Sequence, residues 1–293
     1  MSFRRLAALS ATALLIALTA QSAAAVGADP RLAGVRDFAF ALGADPNTPE
    51  IVAQLAPYDL VVVDGEEATP ASVATLRGQG SIVLGYLSVG TIEPYRSWYP
   101  KLRRYRLPES FEEFDEFYAD VSRKGFRRQI AGRIAPAILA KGFDGLFLDN
   151  TDMVEEFTKE RAGMRRLVRA LSALARGRGG LLFSQNGERS IGPLLPFYDG
   201  WNREDVTSTY SFKRKRYVRT TSAQLAAAQA ALGRISAAGL LVTTADYTAA
   251  GDAATDQLAV ANACAAGAIP FVGDIALRRL PAAPQTCTPV SQP

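Results

Sequence analysis

The chain has 293 residues, 48% of them hydrophobic, with 33 basic against 29 acidic side chains, two cysteines and no histidine. Without histidine, Ser-His-Asp and Cys-His pairs are excluded and zinc loses its commonest ligand, so proton transfer falls to carboxylates, lysine or tyrosine. The net charge of +4 includes Arg4 and Arg5 at the N-terminus, and the +2 left without them is too weak to indicate a nucleic-acid partner.

Residues 1–25 run from Arg4 and Arg5 through an apolar stretch, Leu6 to Leu18, to Ala23-Ala24-Ala25. That order of charge, apolar core and small residues predicts a secretory signal peptide and a secreted or periplasmic protein starting near Val26. The stretch is too short for an anchor, and no other run approaches about twenty uninterrupted apolar residues, so stable membrane insertion is not expected. The 268 residues that follow suit one (β/α)₈ barrel, predicted over 26–280, with a proline-rich tail at 281–293.

Along that chain, short apolar runs alternate with helical patterns. Phe38 to Leu42 reads as a first strand, and Pro49 to Leu55 as a helix started by Thr48. Leu60 to Val63 is a second strand ending at Asp64, and Pro70 to Arg77 a helix closed by Gly78 and Gly80. Ile82 to Leu87 is a third, followed by a long aromatic and charged insertion to about Tyr118; loops of that length in a compact domain are usually functional. Arg127 to Lys141 is amphipathic and leads into Leu146-Phe147-Leu148, a run apolar at every position, which predicts a central parallel strand covered on both faces. The pattern from Asp152 to Arg176 predicts the longest helix. Leu181 to Phe183, Tyr198 to Asn202, Leu240 to Thr244 and Ile269 to Val272 give strands five to eight, with helices over Gln224 to Ala238 and Thr255 to Ala266. Eight strands separated mostly by helices, with no linker, predict a single-domain α/β fold, the (β/α)₈ TIM barrel.

In such folds, binding and catalytic groups collect at the carboxyl ends of the strands. The candidates there are Asp64, Tyr86, Ser88, Asp149, Gln185, Asn186, Glu204, Asp246 and Tyr247. Carboxylates, amides and aromatic rings on one rim suit a sugar, whose hydroxyls need donors and acceptors and whose ring faces stack on aromatic planes. Any one of these residues could instead be a helix cap or a strand end. Asp144, at the opposite end of its strand, reads as a turn residue.

The run Tyr86-Leu87-Ser88-Val89-Gly90 with Glu93, Tyr95 and Arg96, then Gly142-Phe143-Asp144-Gly145 with Leu148-Asp149-Asn150, then Gln185-Asn186-Gly187 and Asp246-Tyr247, resembles glycoside hydrolase family 114. The resemblance spans about Phe38 to Pro270. It implies a (β/α)₈ barrel that cleaves galactosamine-containing polysaccharides with an aspartate after the fourth strand and a glutamate after the sixth. Those positions correspond to Asp149 and Glu204, with Asp205 the rival to the second. Phe38 and Phe40 stand where family members often carry tryptophan.

The expected enzyme is therefore an endo-acting glycosidase with Asp149 and Glu204 as its catalytic pair. Asp64, Tyr86, Ser88, Gln185, Asn186, Asp246 and Tyr247 are expected to contact a polysaccharide, in a monomer using no cofactor and no metal. Two alternatives stand beside it: a non-catalytic carbohydrate-binding barrel, and a metal held through Asp149 and Asp152. The basic run Lys213 to Arg216 would repel a cationic glycan if it bordered the groove. Cys264 and Cys287 could form a disulfide pinning the tail to the last helix.

Overall fold

The computed structural model describes residues 29–287; the predicted signal peptide lies outside them. Eight parallel strands follow one another around the sheet in chain order. They are β1 (Phe38–Ala41), β2 (Leu60–Asp64), β3 (Ile82–Ser88), β4 (Gly145–Asp149), β5 (Leu181–Gln185), β6 (Gly200–Glu204), β7 (Leu241–Tyr247) and β8 (Ile269–Gly273). The helices are α1 (Pro49–Leu55), α2 (Pro70–Gly78), α3, α4 (Arg161–Arg176), α5 (Ser222–Ala237) and α6 (Ala253–Ala265). Helix α3 is built from Lys124–Gln129, a π-helical turn at Ile130–Ile134 and Ala135–Leu139.

Strands apolar at every position have two faces to bury, and here each face enters a different core. Phe38, Phe40, Leu60, Val62, Leu84, Phe147, Phe183 and Phe271 fill the barrel interior. Ala39, Val61, Val63, Val83, Leu146, Leu148 and Leu182 face the helices. β8 reaches β1 without a hydrogen-bonded ladder; Phe38 and Phe271 meet across the seam with ring centroids 6.1 Å apart. The chain after β8 satisfies the open edge. The Val272 N–H donates to Gln285 Oε1 at 2.8 Å, the Gly43 N–H donates to the Leu277 carbonyl at 3.1 Å, and Cys287 is disulfide-bonded to Cys264 on α6.

Two departures from the predicted elements matter for the site. The stretch predicted as the start of a helix at Asp152 is instead two 3₁₀ turns, Thr151–Glu155 and Thr158–Glu160, and α4 begins only at Arg161. There the three-and-four spacing of Met164, Leu167, Val168 and Leu171 first presents a continuous buried face. The sixth strand is Gly200–Glu204 rather than Tyr198–Asn202. Gly200 is where it meets β5, and a Cβ there would stand 2.1 Å from the Phe183 ring. Between β5 and β6, where no helix is predicted, the chain makes a 3₁₀ turn, Gly192–Phe197.

Two additions rise from the carboxyl ends of the strands. The long insertion after β3 folds as a three-stranded sheet, Thr91–Ile92 beside Glu116–Ala119 beside Arg106–Phe111. After β6, Ser208–Ser211 and Arg216–Arg219 form an antiparallel hairpin with the basic run at its tip. At the other end of the barrel, Asp144 accepts from Arg77 and from the Val83 N–H, at 3.0 Å in both cases, which is the turn role its position implied.

Candidate active site

The carboxyl ends of β1 to β8 surround a cleft of about 520 Å³, within the usual range for ligand sites. Its floor includes Phe40 and Tyr86, one wall carries Phe111 and Phe114 from the insertion, and Asp149, Gln185, Glu204 and Tyr247 come from the strand ends. Asp149 closes β4. Its Oδ2 accepts from the Tyr86 hydroxyl at 2.6 Å, and its Oδ1 from Gln185 Nε2 at 3.1 Å and the Asn150 N–H at 2.6 Å. Gln185 is itself oriented: Asn202 Nδ2 donates to its Oε1 at 3.0 Å, and Thr243 Oγ1 donates to Asn202 Oδ1 at 2.8 Å. That chain leaves the Gln185 amide NH₂ facing Asp149.

Asn150 turns the backbone away from the strand with a left-handed φ of 57°. Its side chain donates to Ser88 Oγ and Thr91 Oγ1, at 3.1 and 3.2 Å. Gly90 crosses so close that a Cβ would lie 1.8 Å from the Asn150 carbonyl oxygen, so only glycine allows the insertion to start there.

Glu204 closes β6, one strand away from β4 on the far side of β5. By register Asp149 is level with Asn202, so two strand spacings across and about 6.6 Å along the strand put the backbones of the two carboxylate residues roughly 11–12 Å apart. Glu204 Oε2 accepts from Asn186 Nδ2 at 2.8 Å, and Oε1 from the Tyr247 hydroxyl. Asn186 is also left-handed, φ 54°, and is fixed by Trp201, whose indole N–H donates to its carbonyl at 2.6 Å. Burial pushes the Glu204 carboxyl up to about 8, reinforced by the nearby charges of Asp149 and Asp205; the bonds from Tyr247 and Asn186 act in the opposite sense. Burial also raises Asp149, against the donors from Tyr86, Asn150 and Gln185.

The candidates do not all reach the cleft. Asp64, Tyr86, Asp149, Gln185, Asn186, Glu204 and Tyr247 line it. Ser88 does not: it is buried against Thr91 at 2.6 Å, where it braces the Asn150 turn. Asp246 does not either; it is 0% exposed, and its Oδ1 accepts the Thr207 and Ser208 N–H groups at 2.6 and 2.8 Å, tying the hairpin to β7. Both expectations of substrate contact are corrected. Asp246 is one residue out of phase with the cleft-lining Tyr247, so alternation aims it away from the opening, whereas Ser88 shares the phase of Tyr86 and is instead covered by Thr91 and Asn150 at the root of the insertion.

Asp64 lines the cleft but is largely committed to structure. Arg96, 4% exposed, donates to Asp64 Oδ1 at 2.8 Å and grips both oxygens of Glu93 at 2.9 and 2.8 Å. The Glu93–Arg96 spacing is thus a buried ion triad that fixes the root of the insertion to β2. Three further carboxyls line the cleft, those of Glu67, Glu116 and Asp152. Glu116, from the middle strand of the insertion, is pushed to about 8 by burial and the Glu93 charge, and accepts from Thr91 Oγ1 at 2.6 Å. Asp152 is pushed to about 7 by burial and by Asp149. The insertion's length pointed to its involvement, but no local signal picked out Glu116; Asp152 was visible and read as helix support.

The sequence profile of glycoside-hydrolase family GH114 matches residues 17–290. The chain belongs to that family. A GH114 chain is a glycoside hydrolase, so the reading as a non-catalytic barrel is set aside. An uncharacterised protein of Deinococcus radiodurans is 29% identical over 269 residues, covering 86% of this chain and 84% of its own. Among solved structures, the glycoside hydrolase domain of PelA from Pseudomonas aeruginosa superposes with a TM-score of 0.74 at 22% identity, over 84% of this GH114 chain and 98% of that domain. Ega3 of Aspergillus fumigatus, in a complex with galactosamine, gives 0.68 at 16% identity, over 86% and 95%. These likenesses extend over the whole barrel.

Proposed function

We propose that this GH114 protein is an exported, endo-acting glycosidase that cleaves an α-1,4-linked galactosamine-type polysaccharide, with Glu204 as proton donor and Asp149 as its ionised partner. The observation that carries the assignment is the pair of carboxyls on strands β4 and β6 facing one cleft with unequal surroundings. Asp149 starts from the lower intrinsic value and has three donors on its oxygens, so it ionises first; its charge then helps hold the proton on Glu204. In the proposed reaction Glu204 gives that proton to the leaving glycosidic oxygen while Asp149 acts on the anomeric carbon, directly or through a water. If Asp149 bonds to the anomeric carbon, the ionised Glu204 then takes the proton of the water that releases the sugar; if Asp149 works through a water, Asp149 takes that proton itself.

The cleft's acidic lining supports an amino sugar. Asp64, Glu67, Glu116, Asp149, Asp152 and Glu204 line it, against two arginines, Arg96 and Arg278, of which Arg96 is held by Asp64 and Glu93. Glu204 and Glu116, held near 8, are largely protonated at neutral pH, so the support comes from the number of carboxyl oxygens that can accept from ammonium and hydroxyl groups rather than from net charge. The basic run Lys213 to Arg216 does not oppose this, because it lies at the hairpin tip and lines no part of the cleft. That Ega3 was solved with galactosamine bound supports the same class. Export is supported by the Cys264–Cys287 disulfide, which persists in oxidising compartments. Among the described residues no helix is long and apolar enough to cross a membrane.

The test is incubation with de-N-acetylated and N-acetylated α-1,4-galactosamine polymers, counting new reducing ends, with Glu204→Gln in parallel. Internal cleavage of the amino polymer that vanishes in Glu204→Gln is expected. A wild-type protein that binds the polymer and releases no reducing ends would overturn the reading.

A further inference from the structure

Beside the cleft lies a second, open groove of about 520 Å³, walled by Phe111, Glu112, Glu113 and Tyr118 of the insertion and by Phe212 of the hairpin. It adjoins the cleft, because Phe111 belongs to the walls of both. Phe114, 46% exposed, also lines the cleft; its ring centroid is 5.2 Å from Phe111 and 5.3 Å from Phe212. Phe111 lies 5.6 Å from Tyr118 with the two planes only 21° apart. An unbroken path of aromatic faces thus leads out of the barrel mouth. Leaving such rings half in water has a cost in a monomer that a ligand would recover. The turn that presents Phe114 and Glu113 passes through Asp115 at a left-handed φ of 54°, so the rim is shaped by backbone rather than by loose side chains.

We propose that this groove is an outer subsite that holds further units of the same amino-sugar chain while the Asp149–Glu204 cleft holds the bond to be cut. The inference rests on the function proposed above. The occupant follows from adjacency and from charge. A polymer leaving the cleft past Phe111 meets ring planes on which the C–H faces of a sugar stack, and it meets Glu112 and Glu113, exposed acceptors for ammonium and hydroxyl groups. Lys213 to Arg216 lie next in sequence to Phe212 but line neither groove nor cleft, so the acids set the groove's own sign. Binding energy from units remote from the scissile bond helps to hold that bond in place, which is what an endo-acting enzyme needs from an outer subsite.

The experiment compares wild type with Phe212→Ala, Phe212→Leu and the double variant Glu112→Gln/Glu113→Gln, each checked for an unchanged thermal melt. Binding is measured with a long galactosamine polymer and with a galactosamine disaccharide, and cleavage with the polymer. Phe212→Ala is expected to weaken polymer binding about 2- to 12-fold, the range of one lost aromatic stacking contact, with disaccharide binding unchanged. Phe212→Leu keeps bulk without a ring plane and should match it; Glu112→Gln/Glu113→Gln should weaken the amino polymer and not its N-acetylated form. Equal loss for disaccharide and polymer, no loss for either, recovery in Phe212→Leu, or wild-type preference for an acidic polymer such as polygalacturonate each overturn the proposal. If the wild type binds the polymer without cutting it and Phe212→Ala still weakens that binding, the groove stands and the glycosidase reading falls.

Discussion

Replacing Tyr247 by phenylalanine tests the proton-donor assignment without removing either carboxyl. Tyr247 donates to Glu204 Oε1 and stabilises the charged form, opposing the burial that holds Glu204 near 8. A hydrogen bond to a charged group contributes about 1.5–3 kcal/mol and one to the neutral acid about half that, so its loss should raise the Glu204 pKa by about one unit, at 1.36 kcal/mol per unit. A general acid works only while protonated, so kcat/KM falls as pH rises through its pKa. In wild type that alkaline limb should lie near 8, and in Tyr247→Phe it should move upward by about one unit. The assay is initial-rate release of reducing ends from the amino polymer between pH 5 and 10. The substrate's own amines titrate identically with both proteins, so the difference reports the enzyme. A limb that stays put or moves down would show that Glu204 is not the proton donor, or that its proton is not controlled by this pair.

Asp149→Asn and Glu204→Gln should each lower cleavage about 10²- to 10⁴-fold with the fold retained by circular dichroism. Asp152→Asn, in the cleft but without a reacting role, should cost at most about tenfold, mainly in KM; full activity in Asp149→Asn with loss in Asp152→Asn or Asp205→Asn would move the assignment to the neighbouring acid. Arg96→Met leaves Asp64 and Glu93 buried and unpaired, a loss of about 3–5 kcal/mol in denaturant unfolding, and a change under 1 kcal/mol would show that the triad does not hold the insertion. Breaking the Cys264–Cys287 bond by a double serine substitution, across a sequence separation of 23, should lower stability by about 3 kcal/mol on the chain-entropy account; the unfolding free energy extrapolated to zero denaturant measures it, and a loss under about 1 kcal/mol would refute it.

Much of the architecture and half of the site were already present in the amino-acid order. Runs such as Leu60 to Val63 and Leu146 to Leu148 are apolar at every position, and a backbone with both faces to bury has few solutions other than a parallel sheet under helices. The strand ends then placed Asp64, Tyr86, Asp149, Gln185 and Glu204 on one rim, because a parallel barrel gives every strand the same polarity. The missing histidine restricted the chemistry before any coordinate was known. What one-dimensional order does not carry is the direction of a side chain at a strand end. Asp246 is turned into the protein by the two-residue alternation, and Ser88, though in phase with Tyr86, is covered by the turn that starts the insertion. Glu116 enters the cleft through a three-stranded insertion whose pairing depends on contacts distant in sequence. Asp152 lies in a 3₁₀ turn where helical periodicity alone called for a helix. The protonation of Glu204 was equally out of reach, since it is decided by burial and by Asp149, a charge 55 residues away that only the closed barrel brings near.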